Sequence, residues 1–122
     1  MDNFAKGKLG EKLAAIFLKN KQYQLMDRNV YISRFGELDL VYLDNRSMVF
    51  VEVKTRTNTS FGSPIESLDS RKQRQLVKLA QLYLFRAGMS YTTPVRFDII
   101  TVQVDKHVFT CEIKHVKDAV VL

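Results

Sequence analysis

The sequence predicts an α/β fold, a mixed β-sheet flanked by helices in the order α-β-β-β-α-β with an extra strand at the carboxy terminus. Two periodicities predict it. Apolar residues recur at helical spacing in two stretches, and elsewhere they gather in short runs broken by turn residues. A sheet with helices packed on it buries both kinds of stripe. The chain has 122 residues, 46% of them hydrophobic, which suits one domain over residues 1–122 with a core that needs no disulfide or structural metal.

The elements follow in order. Residues from Phe4 to Asn20 read as a helix whose apolar stripe is Leu9, Leu13, Ile16 and Phe17, at i, i+4, i+7 and i+8. Tyr23 to Arg34 reads as a strand, Phe35-Gly36 as a break, and Glu37 to Leu43 as a second strand. Asp44-Asn45-Arg46-Ser47 is turn chemistry. Met48 to Thr55 forms a third strand, and Arg56 to Ser70, rich in Thr, Ser, Asn and Gly, a loop. A second helix follows, capped by Asp69 or Ser70, with Leu76, Leu79, Ala80, Tyr83 and Leu84 as its buried stripe and Gly88 as its end. Val95 to Val104 and Val108 to Lys114 are the last two strands, and Lys117 to Leu122 fits neither pattern.

Composition narrows the class of function. The single cysteine, Cys111, excludes an intrachain disulfide and suits a reducing cytoplasm. The amino terminus lacks the apolar core of a signal peptide, and no apolar run approaches a membrane span, so a soluble, cytoplasmic protein with no membrane partner is expected. The net charge of +6 draws a domain toward polyanions, although charge alone favours a nucleic-acid partner only modestly.

Three charged residues stand where a core pattern calls for apolar ones. In the third strand Met48, Phe50, Glu52 and Lys54 share one face. If Asn45-Arg46 is a two-residue hairpin loop, Asp44 pairs with Ser47, and the register carried down the ladder sets Asp39 opposite Glu52 and Glu37 opposite Lys54. Paired side chains have Cβ atoms roughly 5 Å apart, and two carboxylates at that spacing repel. A hard divalent cation, Mg²⁺ or Mn²⁺, would relieve the repulsion and bridge to a substrate phosphate. Lys54 would then steady the attacking water or the developing charge. Glu-Val-Lys on a strand is usually plain alternation with one face solvated. Here the same face carries Phe50 and Met48, and an Asp falls opposite the Glu, so the catalytic reading leads.

Other candidates are weaker. Glu11 lies on the first helix beside Ala14 and Ala15, with Gly7 and Gly10 nearby; either the helix approaches the sheet closely there, or Glu11 is a surface residue. Arg71, Lys72 and Arg74 open the second helix, against the macrodipole, and suit a phosphate contact better than a merely solvated end. Lys72 also falls four residues before Leu76, in line with the buried stripe. Arg56 leaves the third strand at the same edge as the carboxylates. Arg96 and Asp98 share a strand face and read as an ion pair. His107 and His115 show no zinc spacing and read as surface residues.

At these residues the chain resembles the YraN family of endonucleases within the PD-(D/E)xK nuclease superfamily. The segments that carry the likeness are Gly7-x-x-Gly10-Glu11, Gly36-Glu37-Leu38-Asp39-Leu40, Val49 to Arg56, Phe61-Gly62-x-Pro64-x-Glu66 followed by Lys72, and Arg96-Phe97-Asp98. Val30 and Ser67 depart from the family's pattern, away from these acids. The resemblance implies a restriction-endonuclease-like core, with Asp39 and Glu52 as metal ligands, Lys54 as the catalytic lysine and Glu11 as an accessory acid and ligand. The family is also similar to archaeal Holliday junction resolvases, which implies branched DNA as a substrate and a homodimer as the working form.

The expected function is therefore a metal-dependent endonuclease that hydrolyses phosphodiester bonds in DNA, with Arg56, Arg71, Lys72 and Arg74 gripping the backbone. The competing expectation is a non-catalytic nucleic-acid-binding module, or an accessory subunit of a DNA-processing complex. A pure binder gains nothing from acids facing phosphates.

Overall fold

A computed structural model of the chain describes residues 2–57, 68–105, 107 and 110–120. Asp2 caps the first helix, its carboxylate accepting from the Ala5 N–H at 2.7 Å. This helix, α1, spans Asn3–Asn20. It is followed by β1 (Gln24–Ile32), a 3₁₀ turn (Ser33–Phe35), β2 (Gly36–Asp44) and β3 (Ser47–Thr57), then α2 (Ser70–Arg86), β4 (Val95–Asp105) and β5 (Thr110–Val116). The mixed α/β order expected from the sequence is the order observed. β3 runs two residues past its expected end, so Arg56 sits on a strand rather than in a loop. The expected loop from residue 58 to 67, including Pro64 and Ser67, and the expected strand start at Val108 lie outside the described residues.

α1 turns to the sheet a face that overlaps the expected stripe only in part: Leu13 and Phe17 pack against the core, but the centre of the buried face is shifted toward smaller residues. Gly10, Ala14 and Leu18 are buried, while Ile16 is 55% exposed. The cause is closeness of approach: a Cβ built on Gly10 would lie 1.7 Å from the Thr55 Oγ1 of β3. Small residues let the helix sit on the strand, and larger ones would hold it away. For α2 the expected stripe holds, with Leu76, Leu79, Ala80 and Leu84 buried and Tyr83 packed against the same core. Asp69 is its cap, accepting from the Lys72 N–H at 2.9 Å. Gly88, at φ +69°, follows its end, where an L side chain would be strained.

The sheet order is β1-β2-β3-β4-β5; β3 and β4 are parallel, joined across by α2, and every other pair is antiparallel. Apolar residues fill both faces. Val41, Met48, Phe50 and Ile99 pack beneath α2, and Leu40, Tyr42, Val49, Val51 and Ile100 beneath α1. No helix among the described residues is long and apolar enough to cross a membrane.

Two irregularities place the polar residues. First, the β2–β3 ladder runs from Asp44↔Ser47 to Leu40↔Val51 and ends there. The extrapolated rungs Asp39–Glu52 and Glu37–Lys54 are not part of it. Beyond that point β2 stays with β1 as far as Gly36, and β3 stays with β4 as far as Thr57, so the sheet forks. Second, strand alternation breaks at the fork. Leu38 belongs to the layer under α2 and Leu40 to the layer under α1, although residues two apart on a strand share a face. Across from them Asn29, between the pairs Arg28↔Leu40 and Val30↔Leu38, takes φ +49°. Asn tolerates this left-handed conformation better than most residues.

Candidate active site

The fork is where acidic side chains from both faces meet. Asp39 points across it: its Oδ2 accepts from the Val53 N–H at 2.9 Å, doing the work of the missing ladder carbonyl. Glu52, on the Phe50 face of β3, is 7% exposed at its side chain. From α1, Glu11 Oε1 accepts from Asn29 Nδ2 at 2.8 Å, and the same amide lies 3.1 Å from Glu37 Oε1. Glu11 is thus drawn into the site rather than left on the surface, and Gly10 shows why: the helix must come close for it to reach. Of the two glycines, Gly10 alone bears on that approach, since a Cβ at Gly7 would meet nothing.

The electrostatics follow from the crowding. Burial first, then the Glu52 charge, with smaller pushes from Glu11 and Glu37, raise the Asp39 carboxyl to about 7 against the pull of the Val53 N–H. Burial also raises Glu52, while Lys72, Lys54 and the Lys72 hydrogen bond draw it back. Lys72 Nζ lies 3.5 Å and Lys54 Nζ 3.9 Å from Glu52 Oε1. Both lysines keep a foot in solvent, at 40% exposure for Lys54 and 29% for Lys72. The structure therefore brings together Glu11, Asp39, Glu52, Lys54 and Lys72, with Glu37, expected opposite Lys54, turned instead to Asn29, which the sequence did not single out. Asn29 left one trace there, a polar run Asp27-Arg28-Asn29 inside an otherwise apolar strand. Among the described residues, no three acidic, histidine or cysteine side chains stand in a geometry that would hold a metal ion.

Beside Lys72 a groove of about 750 Å³ runs along the start of α2, lined by Arg71, Lys72, Arg74, Gln75 and Lys78 with Phe35 opposite. Lys78 Nζ sits 4.0 Å from the centre of the Phe35 ring. Arg71 and Arg74 are exposed. Lys78 and Phe35 were not among the expected contacts.

A second polar cluster lies at the other end of β4. Arg96 binds Asp98 at 2.9 Å and Asp44 at 3.0 Å, and donates to the Tyr23 hydroxyl. The expected Arg96–Asp98 pair is real, but His115 is not a surface residue: its side chain is 2% exposed and its Nε2 lies 2.8 Å from Asp98 Oδ2. Lys21 Nζ, which can only donate, lies 3.1 Å from His115 Nδ1, so Nδ1 accepts and Nε2 carries the proton. Burial opposes the Asp98 charge, yet hydrogen bonds from His115, Arg96 and the Asp118 N–H hold its carboxyl below the usual range. His107 is exposed, as expected. This cluster fastens the carboxy-terminal segment to β4, and its geometry suits structure rather than catalysis.

The family described as Uncharacterised protein family UPF0102 matches residues 10–102, a span that holds every residue of the fork from Glu11 to Lys72. Relatives are similar along most of the chain. A UPF0102 protein of Natranaerobius thermophilus is 40% identical over 119 residues, covering 98% of this chain and 99% of its own. One from Caldanaerobacter subterraneus is 41% identical over 114 residues, covering 93% and 92%. One from Symbiobacterium thermophilum is 46% identical over 97 residues, covering 80% of each. The likeness to YraN and these matches point the same way, and the chain belongs to the UPF0102 family.

Proposed function

We propose that this protein is a metal-dependent endonuclease of the PD-(D/E)xK superfamily, with a restriction-endonuclease-like core, that hydrolyses phosphodiester bonds in DNA in the cytoplasm. One observation carries the reading: Asp39 and Glu52, both raised by burial, crowd together at the fork beside two lysines that remain open to solvent. Carboxylates held this way are poor structural residues and good cation ligands.

The chemistry of the donor set, rather than its present geometry, suits a hard ion. Asp39, Glu52 and Glu11 offer oxygen only, which suits Mg²⁺ or Mn²⁺. An ion held by Glu52 would share that carboxylate with Lys72 and Lys54, whose ammonium groups lie 3.5 and 3.9 Å from it. When bound, the ion would supply Lewis acidity at the phosphate and a water of lowered pKa. The rest falls to the chain. The Val53 N–H holds one Asp39 oxygen, which fixes the carboxylate's direction and leaves the other oxygen available. Lys54 extends its ammonium toward solvent, where it can stabilise charge gathering on a phosphate. Arg71, Lys72 and Arg74, with Arg56 on the neighbouring strand, are placed to grip the backbone independently of base sequence.

A non-catalytic binding module, or an accessory subunit of a DNA-processing complex, remains the second reading because two lysines already neutralise Glu52. Incubation with Mn²⁺ separates the readings, using duplex, single-stranded and four-way-junction DNA and wild type against Asp39→Ala and Glu52→Ala. Cleavage by wild type, reduced roughly 100-fold or more in each variant, is expected. Equal activity in all three would overturn the site, and absence of Mn²⁺-dependent turnover would favour the binding module. The junction substrate, with the molecular mass in solution, also tests the branched-DNA and homodimer expectations.

A further inference from the structure

On the face opposite α2, a groove runs between α1 and β1. Its deeper part, about 450 Å³, is walled by Ile16 and Lys19 of α1, Leu25 and Arg28 of β1, and Tyr42 of β2. A smaller part of about 170 Å³ shares Ala15 and Arg28 with it and reaches Glu11 and Asn29 at the fork. The groove therefore leads away from the carboxylates on the side that the α2 groove does not serve.

Three features of the deeper part need a partner. Tyr42 is 1% exposed, and its buried hydroxyl has no hydrogen-bond partner among the described residues. An unpaired buried hydroxyl is costly, and a phenylalanine would pack in the same place without that penalty, so ring packing does not account for the oxygen. Arg28 is near enough to pull the Tyr42 phenol's pKa down against the stronger, raising effect of burial. Among the described residues, neither Arg28 nor Lys19 pairs its cationic group with a carboxylate. Beside these donors Ile16 and Leu25, 55% and 37% exposed, form an apolar wall. Donors without an acceptor, next to an apolar shelf, suit a phosphate ester with a sugar or base attached. The volume lies within the range of small-ligand sites.

We propose that the α1–β1 groove is a site for one nucleotide unit, with its phosphate held by Lys19, Arg28 and the Tyr42 hydroxyl and its sugar or base laid on Ile16 and Leu25. The hydroxyl is closed to bulk water, so the exposed side chains of the groove shift when the phosphate enters. The choice of occupant rests on the nucleic-acid reading of the fork, but not on cleavage.

Binding of a fluorescent single-stranded oligonucleotide, measured by anisotropy in Ca²⁺ so that cutting does not intervene, tests the site. Tyr42→Phe should weaken binding roughly fivefold, the worth of one hydrogen bond. It should at the same time raise the melting temperature by a few degrees, because an unsatisfied group is removed. Lys19→Gln with Arg28→Gln should weaken binding roughly tenfold or more. Competition by adenosine monophosphate would show that a free nucleotide shares the site; strand binding without such competition would restrict it to polynucleotide. Unchanged affinity in Tyr42→Phe, a lowered melting temperature, or equal competition by an acidic peptide overturns the proposal. Failure of the wild type to cleave with Mn²⁺, while it still binds the strand in Ca²⁺ and Tyr42→Phe weakens that binding, sinks the nuclease reading and leaves the groove standing.

Discussion

Among the residues of the fork, Asp39 has the most consequences. Its carboxyl titrates near 7 rather than near 3.8, so the folded protein holds a proton that the unfolded chain has lost. Stability from this group is complete below about pH 4 and is lost as pH rises through about 7. Glu52, also raised, acts in the same direction. Urea midpoints should therefore fall between pH 5 and pH 7.5, and Asp39→Asn should flatten that slope. If the slope survives the substitution, the crowding of carboxylates is not its source. Asp98 works the other way: its lowered carboxyl stabilises the fold above about pH 4, a contribution that disappears in acid. The residue-scale signature of these groups is thus a maximum on the mildly acidic side, far from the basic pI.

At the scale of elements, β4 depends on Asp98. This carboxylate is fully buried and receives Arg96, His115 and the Asp118 N–H, so it ties β4 to β5 and to the tail. Asp98→Asn keeps the shape but leaves Arg96 and His115 poorly matched, and should destabilise the fold by about 3 kcal/mol in equilibrium unfolding. A loss below about 1 kcal/mol would mean that the network is dispensable. The sequence disclosed much of this level. Apolar spacing located α2 and its buried stripe, and the two-residue loop at Asn45-Arg46 set the β2–β3 register correctly from Asp44 to Leu40. Counting the ladder brought Asp39, Glu52 and Lys54 to one region, although the counted rungs Asp39–Glu52 and Glu37–Lys54 do not form and Asp39 arrives by reaching across the fork. What was hidden depends on three-dimensional closeness. The glycines of α1 left its close approach as one of two readings; the contact that decides it, Gly10 on Thr55, is encoded by no helical periodicity. The fork opens between β2 and β3, and the positive φ of Asn29 across from it on β1 shows in the sequence only as a polar run. His115 looked peripheral because Asp98, 17 residues earlier, reaches it only through the β4–β5 pairing.

At the scale of the whole molecule, an excess of positive charge surrounds a small acidic centre. Four cations, Arg71, Lys72, Arg74 and Lys78, line the α2 groove. If each neutralises one phosphate, duplex affinity should fall with a log–log salt slope of about −4, or roughly 100-fold between 50 and 200 mM salt. A flat salt response in a filter-binding or anisotropy titration would remove the groove from the nucleic-acid interface. The acids sit where the two faces of the sheet exchange, which is why α1 can supply Glu11 and α2 can supply Lys72 to one spot. The same geometry divides the molecule mechanically. Below the fork, β1 and β2 travel as one flap while β3, β4 and β5 form the other. Across the opening, Asp39 grips the Val53 amide where a peptide carbonyl would ordinarily do so. A peptide carbonyl has one oxygen to offer, whereas a carboxylate has two, and only one of them is taken by the amide. Any ligand gathered by the acids is therefore tied, through a single side chain, to the seam between the two flaps.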